Sequence, residues 1–84
     1  MIKLVEIVLE QDQYHLREII LNSTHIVSIS LDIHCAVLHA NGKLPEGLHE
    51  AQQFSKVILT NGKEMIVVGN PDIIGTKAKN ILHG

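Results

Sequence analysis

The run Ile2 to Leu9, IKLVEIVL, constrains the fold more than any other stretch of the chain. It is dense in β-formers and carries apolar residues on both parities, with Val5, Ile7 and Leu9 on one face and Ile2, Leu4 and Val8 on the other. Successive strand side chains point to opposite faces, so this pattern describes a strand covered on both sides. A one-sided sheet open to water on its second face is therefore not expected. The hairpin region Val57 to Val68 has the same property.

The rest of the chain reads as further strands. Gln11-Asp12-Gln13 can close a hairpin onto a second run, Tyr14 to Leu21, that contains the β-branched pair Ile19-Ile20. Asn22-Ser23-Thr24 marks a bend, because such side chains bond to local backbone. In His25 to Leu31, Ile26, Ser28 and Ser30 alternate with Val27, Ile29 and Leu31, giving an apolar face and a half-polar one. FSKVILT and KEMIVVG flank Asn61-Gly62, the dipeptide favoured in two-residue type I′ hairpin turns. Asp32 to Ala40 fits two templates. Ile33, Ala36, Val37 and Ala40 have helical spacing, whereas Ile33, Cys35 and Val37 fit a strand, and the strand is the favoured reading. From Asn41 to Gln53, Pro45 and Gly47 predict a long surface loop with a possible helical turn over 46–53.

At the C-terminal end, Asn70-Pro71-Asp72 supplies an N-cap, a proline at the first helical position and an acid in the first turn. Ile74, Ala78, Ile81 and Leu82 then fall at i, i+4, i+7 and i+8 as one apolar stripe, with Lys77, Lys79 and Asn80 facing water. Gly75 and Thr76 weaken the helix intrinsically, so it must dock on the sheet to form. The fold class read from these elements is α+β and mainly β. It is a single domain over residues 1–84, with a five- or six-stranded, largely antiparallel sheet or small barrel and one C-terminal helix.

Composition limits the function classes. Although 45% of the residues are apolar, the only aromatic ones are Tyr14 and Phe54, so the core is aliphatic and thin. Cores of this size often supply about 3–5 kcal/mol and lean on staples or partner subunits. Cys35 has no partner for a disulfide within the chain, which fits a reducing compartment and a cytoplasmic location. No basic leader precedes an apolar segment, and no apolar run approaches the ~20 residues that a membrane helix needs. A formal charge of −2, scattered cations and two aromatic residues offer nucleic acid neither a basic stripe nor a stacking platform.

Six histidines raise the question of a metal, and the tightest cluster is His34, Cys35 and His39. On a strand, His34 and Cys35 diverge while Cys35 and His39 lie ~13 Å apart. On a helix the latter pair could share an ion, yet two ligands fall short of the usual three or four. Cys35 is expected to be an inert structural thiol and no metal site is assigned. Ser23, Ser28, Ser30 and Ser55 lack a nucleophile-elbow context and the acids are singletons, so no catalytic set is assigned and no cofactor is expected. Backbone amides near Asn70, at the start of the last helix, could hold an anion, although Asp72 opposes one.

From Arg17 onward, REIILNSTHIVSI and then SKVILTNGKEMIVVGNPDII resemble the pattern of FlbD-like flagellar and swarming-motility proteins and similar short bacterial or phage proteins. The likeness also takes in Met1-Ile2-Lys3-Leu4, and it rests on Leu21-Asn22, Ile26, Ile29, Leu59, Asn61-Gly62 and Val67-Val68. It covers about half of the chain, which departs from the pattern in its long Asp32 to Gln53 segment. The resemblance implies a non-enzymatic regulatory or interaction role and transfers no ligand-binding residues. The function expected is a protein-binding regulatory module acting as a homo-oligomer. The alternative is an oligomer that binds or sequesters a small anion or nucleotide. Self-association is expected because a single terminal helix covers only part of one sheet face.

Overall fold

A computed structural model describes the backbone of residues 1–83 and the side chains of residues 1–78. Five strands form one antiparallel sheet: β1 (Ile2–Glu10), β2 (Gln13–Leu21), β3 (Ile26–Asp32), β4 (Phe54–Leu59) and β5 (Glu64–Val68). Their spatial order is β2-β1-β5-β4-β3, so β2 and β3 are the two edges and the sheet is open rather than a closed barrel. Two helices accompany it, α1 (Ile33–Ala40) between β3 and β4, and α2 (Pro71–His83) after β5. The fold is α+β and mainly β, with the C-terminal helix expected from the sequence.

The pairing register sorts the side chains into two faces. On one face, Ile2 and Leu4 of β1 sit beside Val67 and Met65 of β5 and Val57 of β4, and α2 closes over them with Ile74 and Ala78. Val57, Val67 and Ile74 are sealed from water. Of the stripe read from the sequence, Ile74 and Ala78 are buried and Lys77 is exposed. The side chains of Lys79, Asn80, Ile81 and Leu82 lie outside the described residues. Ser55 belongs to the same face and is fully buried, and its hydroxyl donates to the Gly69 carbonyl at 2.7 Å. That bond fixes the chain where it leaves β5 for α2. Asn70 then caps the helix through its side-chain oxygen, which accepts from the Ile73 amide at 2.8 Å.

The opposite face is covered from within the chain by an element that the sequence reading assigns otherwise. Residues 33–40 are a helix and not a strand. The Asp32 carboxylate accepts from the Cys35 amide at 2.8 Å, a capping bond that starts the helix where β3 ends. Cys35, Ala36 and Leu38 turn inward to meet Ile7, Phe54, Ile66 and Val68, while Ile33 and Val37 stay outside. A helix wins because only its 3.6-residue period puts Cys35, Ala36 and Leu38 on the inner side together. The 41–53 segment has neither strand nor helix, and over 46–53, where a helical turn is expected, the backbone makes a single turn in which the Gln52 amide donates to the His49 carbonyl at 3.0 Å. Its Leu44 and Leu48 nevertheless pack into the same cluster, so this loop is a working part of the second core layer.

The two-residue type I′ geometry expected at Asn61-Gly62 is found instead at the first hairpin. Gln11 and Asp12 both have positive φ, +52° and +63°, the left-handed pair that a two-residue type I′ turn requires. At Asn61-Gly62 only Gly62 is left-handed, at φ +85°. The Gly62 amide donates to the Leu59 carbonyl at 2.9 Å, and the Lys63 amide donates to the Asn61 side chain at the same distance. The connection is therefore a three-residue loop, a type I turn closed by a glycine bulge, because Thr60 lies in the loop rather than in β4.

Candidate functional site

The clustered thiol and imidazoles resolve into structural roles. Cys35 is 4% exposed, and burial, with the Asp32 carboxylate adding to it, pushes its thiol from 9.0 up to about 11. His34 points to solvent. His39 stands edge-on to Phe54, with ring centroids 6.0 Å apart and the planes at 72°, and its Nε2 lies 2.7 Å from the His49 carbonyl, to which the Nε2–H tautomer donates. It thereby ties α1 to the 41–53 loop. No group of three or more His, Cys, Asp or Glu side chains converges among the described residues. Two of the first amides of α2 are engaged by Asn70 itself, whose side chain takes Ile73 N–H and whose carbonyl takes Ile74 N–H.

Two larger concave places stand out among the described residues. One is a wide hollow of about 690 Å³ between the tip of the β1–β2 hairpin and the α1 side of the sheet, where Tyr14, His15 and Lys43 surround Leu38 and Leu44. The other is a groove of about 570 Å³ with a strand for one wall and a helix for the other. Ile26 to Ile29 of β3 form the strand wall, and Pro71, Gly75 and Ala78 with Asp72 and Thr76 form the helix wall.

The second place combines the groove with an open sheet edge. Among the described residues no strand lies beyond β3. In an antiparallel ladder every second residue directs its N–H and C=O outward, so β3 offers a row of unmet donors and acceptors. A register shift between Ile26 and Ser28 breaks the regular edge at its start and leaves Ser28 to Asp32 in straight pairing with β4. Val27 and Leu31 are 63% and 51% exposed beside this edge.

The opposite edge is treated differently. β2 carries His15, Arg17 and Glu18 and is paired to β1 along its full length. Lys3 reaches Glu18 at 3.4 Å across that pair, and Arg17 reaches Glu6 at 3.0 Å. Charged side chains along an edge discourage further strand pairing. β3 has no charged residue before Asp32. Sequence reading singled out neither the edge nor the groove, although the contrast between the charge-free IVSISL and the charged YHLREIIL is a signal visible in the sequence.

No protein family, no curated protein and no solved structure matches this chain.

Proposed function

We propose that this protein is a non-enzymatic protein-binding module that takes an extended segment of a partner protein as a sixth strand along β3. The observation that carries the reading is the coincidence of an uncharged open edge with a groove roofed by α2. Strand addition of this kind draws affinity from main-chain hydrogen bonds and selectivity from alternate side chains that enter an adjoining groove. The test is selection of displayed random peptides on the full chain, followed by amide chemical-shift mapping. Selected peptides should perturb Ser28 to Asp32 and lose binding when their backbone nitrogens are methylated. Peptides that map to other surfaces, or that tolerate methylation, would refute strand addition.

The module acts as a homo-oligomer in the same reading. Ile33 and Val37, one helical turn apart on the outer side of α1, are 68% and 52% exposed and form an uncovered apolar pair there. A second copy supplies the cover, which leaves the groove on the other face free. Sedimentation equilibrium at micromolar concentration should show a species heavier than 9.3 kDa that Val37→Glu dissociates. A single concentration-independent species at the chain mass would overturn the oligomer.

The hollow beside Tyr14, His15 and Lys43 favours a second reading, a small-anion or nucleotide binder. Native mass spectrometry of freshly purified protein separates the two, because a ligand-binding oligomer retains a small bound mass that Lys43→Ala removes.

A further inference from the structure

We infer that the β3–α2 groove selects a segment carrying a large apolar residue that seats over Gly75 and a cationic residue, two positions away on the same strand face, that meets Asp72. This rests on the strand-addition reading and specifies the partner's chemistry.

The helix wall supplies the argument. Pro71, Gly75 and Ala78 are spaced i, i+4 and i+7, so they share the stripe of α2 that looks across the groove to β3. Ala78 also belongs to the core beneath. Gly75 has no such role. A Cβ built on it meets nothing within 4 Å, and its φ is not in the left-handed region. Neither crowding nor backbone geometry therefore requires glycine there, and a glycine inside a helix weakens it. What its missing side chain provides is depth in the groove wall, next to an edge that can hold a strand. A large apolar side chain on an added strand fills that depth, with Val27 and Ile29 across from it.

Charge decides the second position. Among the described residues Asp72 is the one charged residue lining the groove, and it is exposed at its rim. It stands three residues before Gly75, ~4.5 Å along the helix axis. Same-face neighbours on a strand are ~6.6 Å apart. A lysine or arginine side chain is long and flexible enough to close that difference. The same charge argues against a second copy of this chain as the occupant. A neighbouring β3 paired antiparallel would turn Ile29 and Leu31 toward the groove, because Ser28, Ser30 and Asp32 share the α1 face with Phe54, and that strand offers Asp72 no cation.

The experiment is the peptide selection repeated on three full-length proteins: the native chain, Gly75→Leu and Asp72→Lys. Native selection should enrich peptides with Leu, Ile, Phe or Met at one position and Lys or Arg two residues away. Gly75→Leu should weaken the best such peptide by at least about tenfold, the worth of one buried apolar side chain. Its amide spectrum should remain that of a folded protein, because the site has room for the new side chain. Asp72→Lys should exchange the preference for a cation for one for Asp or Glu. Peptides that shift Ser28 to Asp32 but show no residue preference, or are indifferent to both substitutions, would overturn this inference and leave strand addition standing. A native selection with no binder on that edge would overturn both. Should Gly75→Leu unfold, Gly75→Ala serves in its place, with a smaller weakening expected and no change in the spectrum.

Discussion

Phe54→Ala measures how far the second face of the sheet contributes to a single cooperative fold. Phe54 is 0% exposed, and it joins the sheet to α1, to the 41–53 loop through Leu44 and Leu48, and to His39 through the edge-on ring contact. Truncating a buried phenylalanine to alanine costs about 3–5 kcal/mol through lost transfer energy and the cavity left behind. The edge-to-face pair with His39 falls within that range at about 0.5–1.5 kcal/mol. Against a total stability of about 3–5 kcal/mol for a core of this size, the variant should be largely unfolded at 25 °C. Phe54→Leu keeps most of the volume and loses the ring pair, so it should unfold reversibly with a deficit of about 1–2 kcal/mol. Urea titration followed by far-ultraviolet circular dichroism reads both. Val57→Ala, three residues along the same strand and on the α2 face, is the control for an ordinary core truncation. If Phe54→Ala stays within about 1 kcal/mol of the native chain, α1 and the loop do not form a load-sharing layer and the two-sided account of the sheet fails.

Other substitutions probe single features. Gly62→Val forces a β-branched residue to φ +85° and should lose more than ~1 kcal/mol, whereas Asn61→Ala, at a position with negative φ, should lose less; equal losses in thermal melts would contradict the type I turn. Arg17→Ala removes the partner of the buried Glu6 carboxylate and should cost about 1–3 kcal/mol, while the double change Glu6→Leu with Arg17→Leu should recover most of it; additive losses in urea titrations would refute the pairing. The Cys35 thiol is protonated in folded and unfolded chains alike below pH 9, and between 9.0 and about 11 only the unfolded chain ionises. Stability should therefore fall as pH rises through that window, by at most ~2–3 kcal/mol, and Cys35→Ala should flatten this part of the profile. A thiol reagent at pH 8 should label folded Cys35 far more slowly than a denatured control.

Much of the fold was legible because strand parity and helix capping are local properties. The two-parity pattern of Ile2 to Leu9 led directly to a sheet covered on both sides, and Asn70-Pro71-Asp72 marked the start of α2 where the Asn70 cap now lies. Residues 33–40 were harder because eight residues span barely two helical turns, and their apolar positions satisfy both periods. The deciding information was Asp32, whose carboxylate can only cap a helix if β3 ends there. Asn61-Gly62 misled for a different reason. The dipeptide fixes a left-handed glycine but not the loop length, and the register of β4 against β5 sets that length through Ile58 and Glu64. The candidate site was the least legible part, because a groove between residues 26–29 and 71–78 exists only once α2 has folded back across β3.

The distribution of charge between the two edges links the fold to its proposed use. An open five-stranded sheet cannot avoid having two edges, and each is a potential site of unwanted pairing. On β2 the chain places Arg17 and Glu18 and ties them to Glu6 and Lys3, arrangements that add little stability where they are exposed but discourage an incoming strand. On β3 the comparable positions are serine, isoleucine and leucine, and the nearest acid, Asp32, is committed to capping α1. A sequence that protects one edge and leaves the other uncharged has treated them unequally, and stability alone gives no reason to do so. The inequality is accounted for if β3 is kept open for a strand, with α2 beside it to limit which strand is accepted. Placing a lysine at Ser30 would then equalise the edges, leave the core untouched and abolish peptide binding at β3. Retention of binding by Ser30→Lys would break the link between edge charge and function.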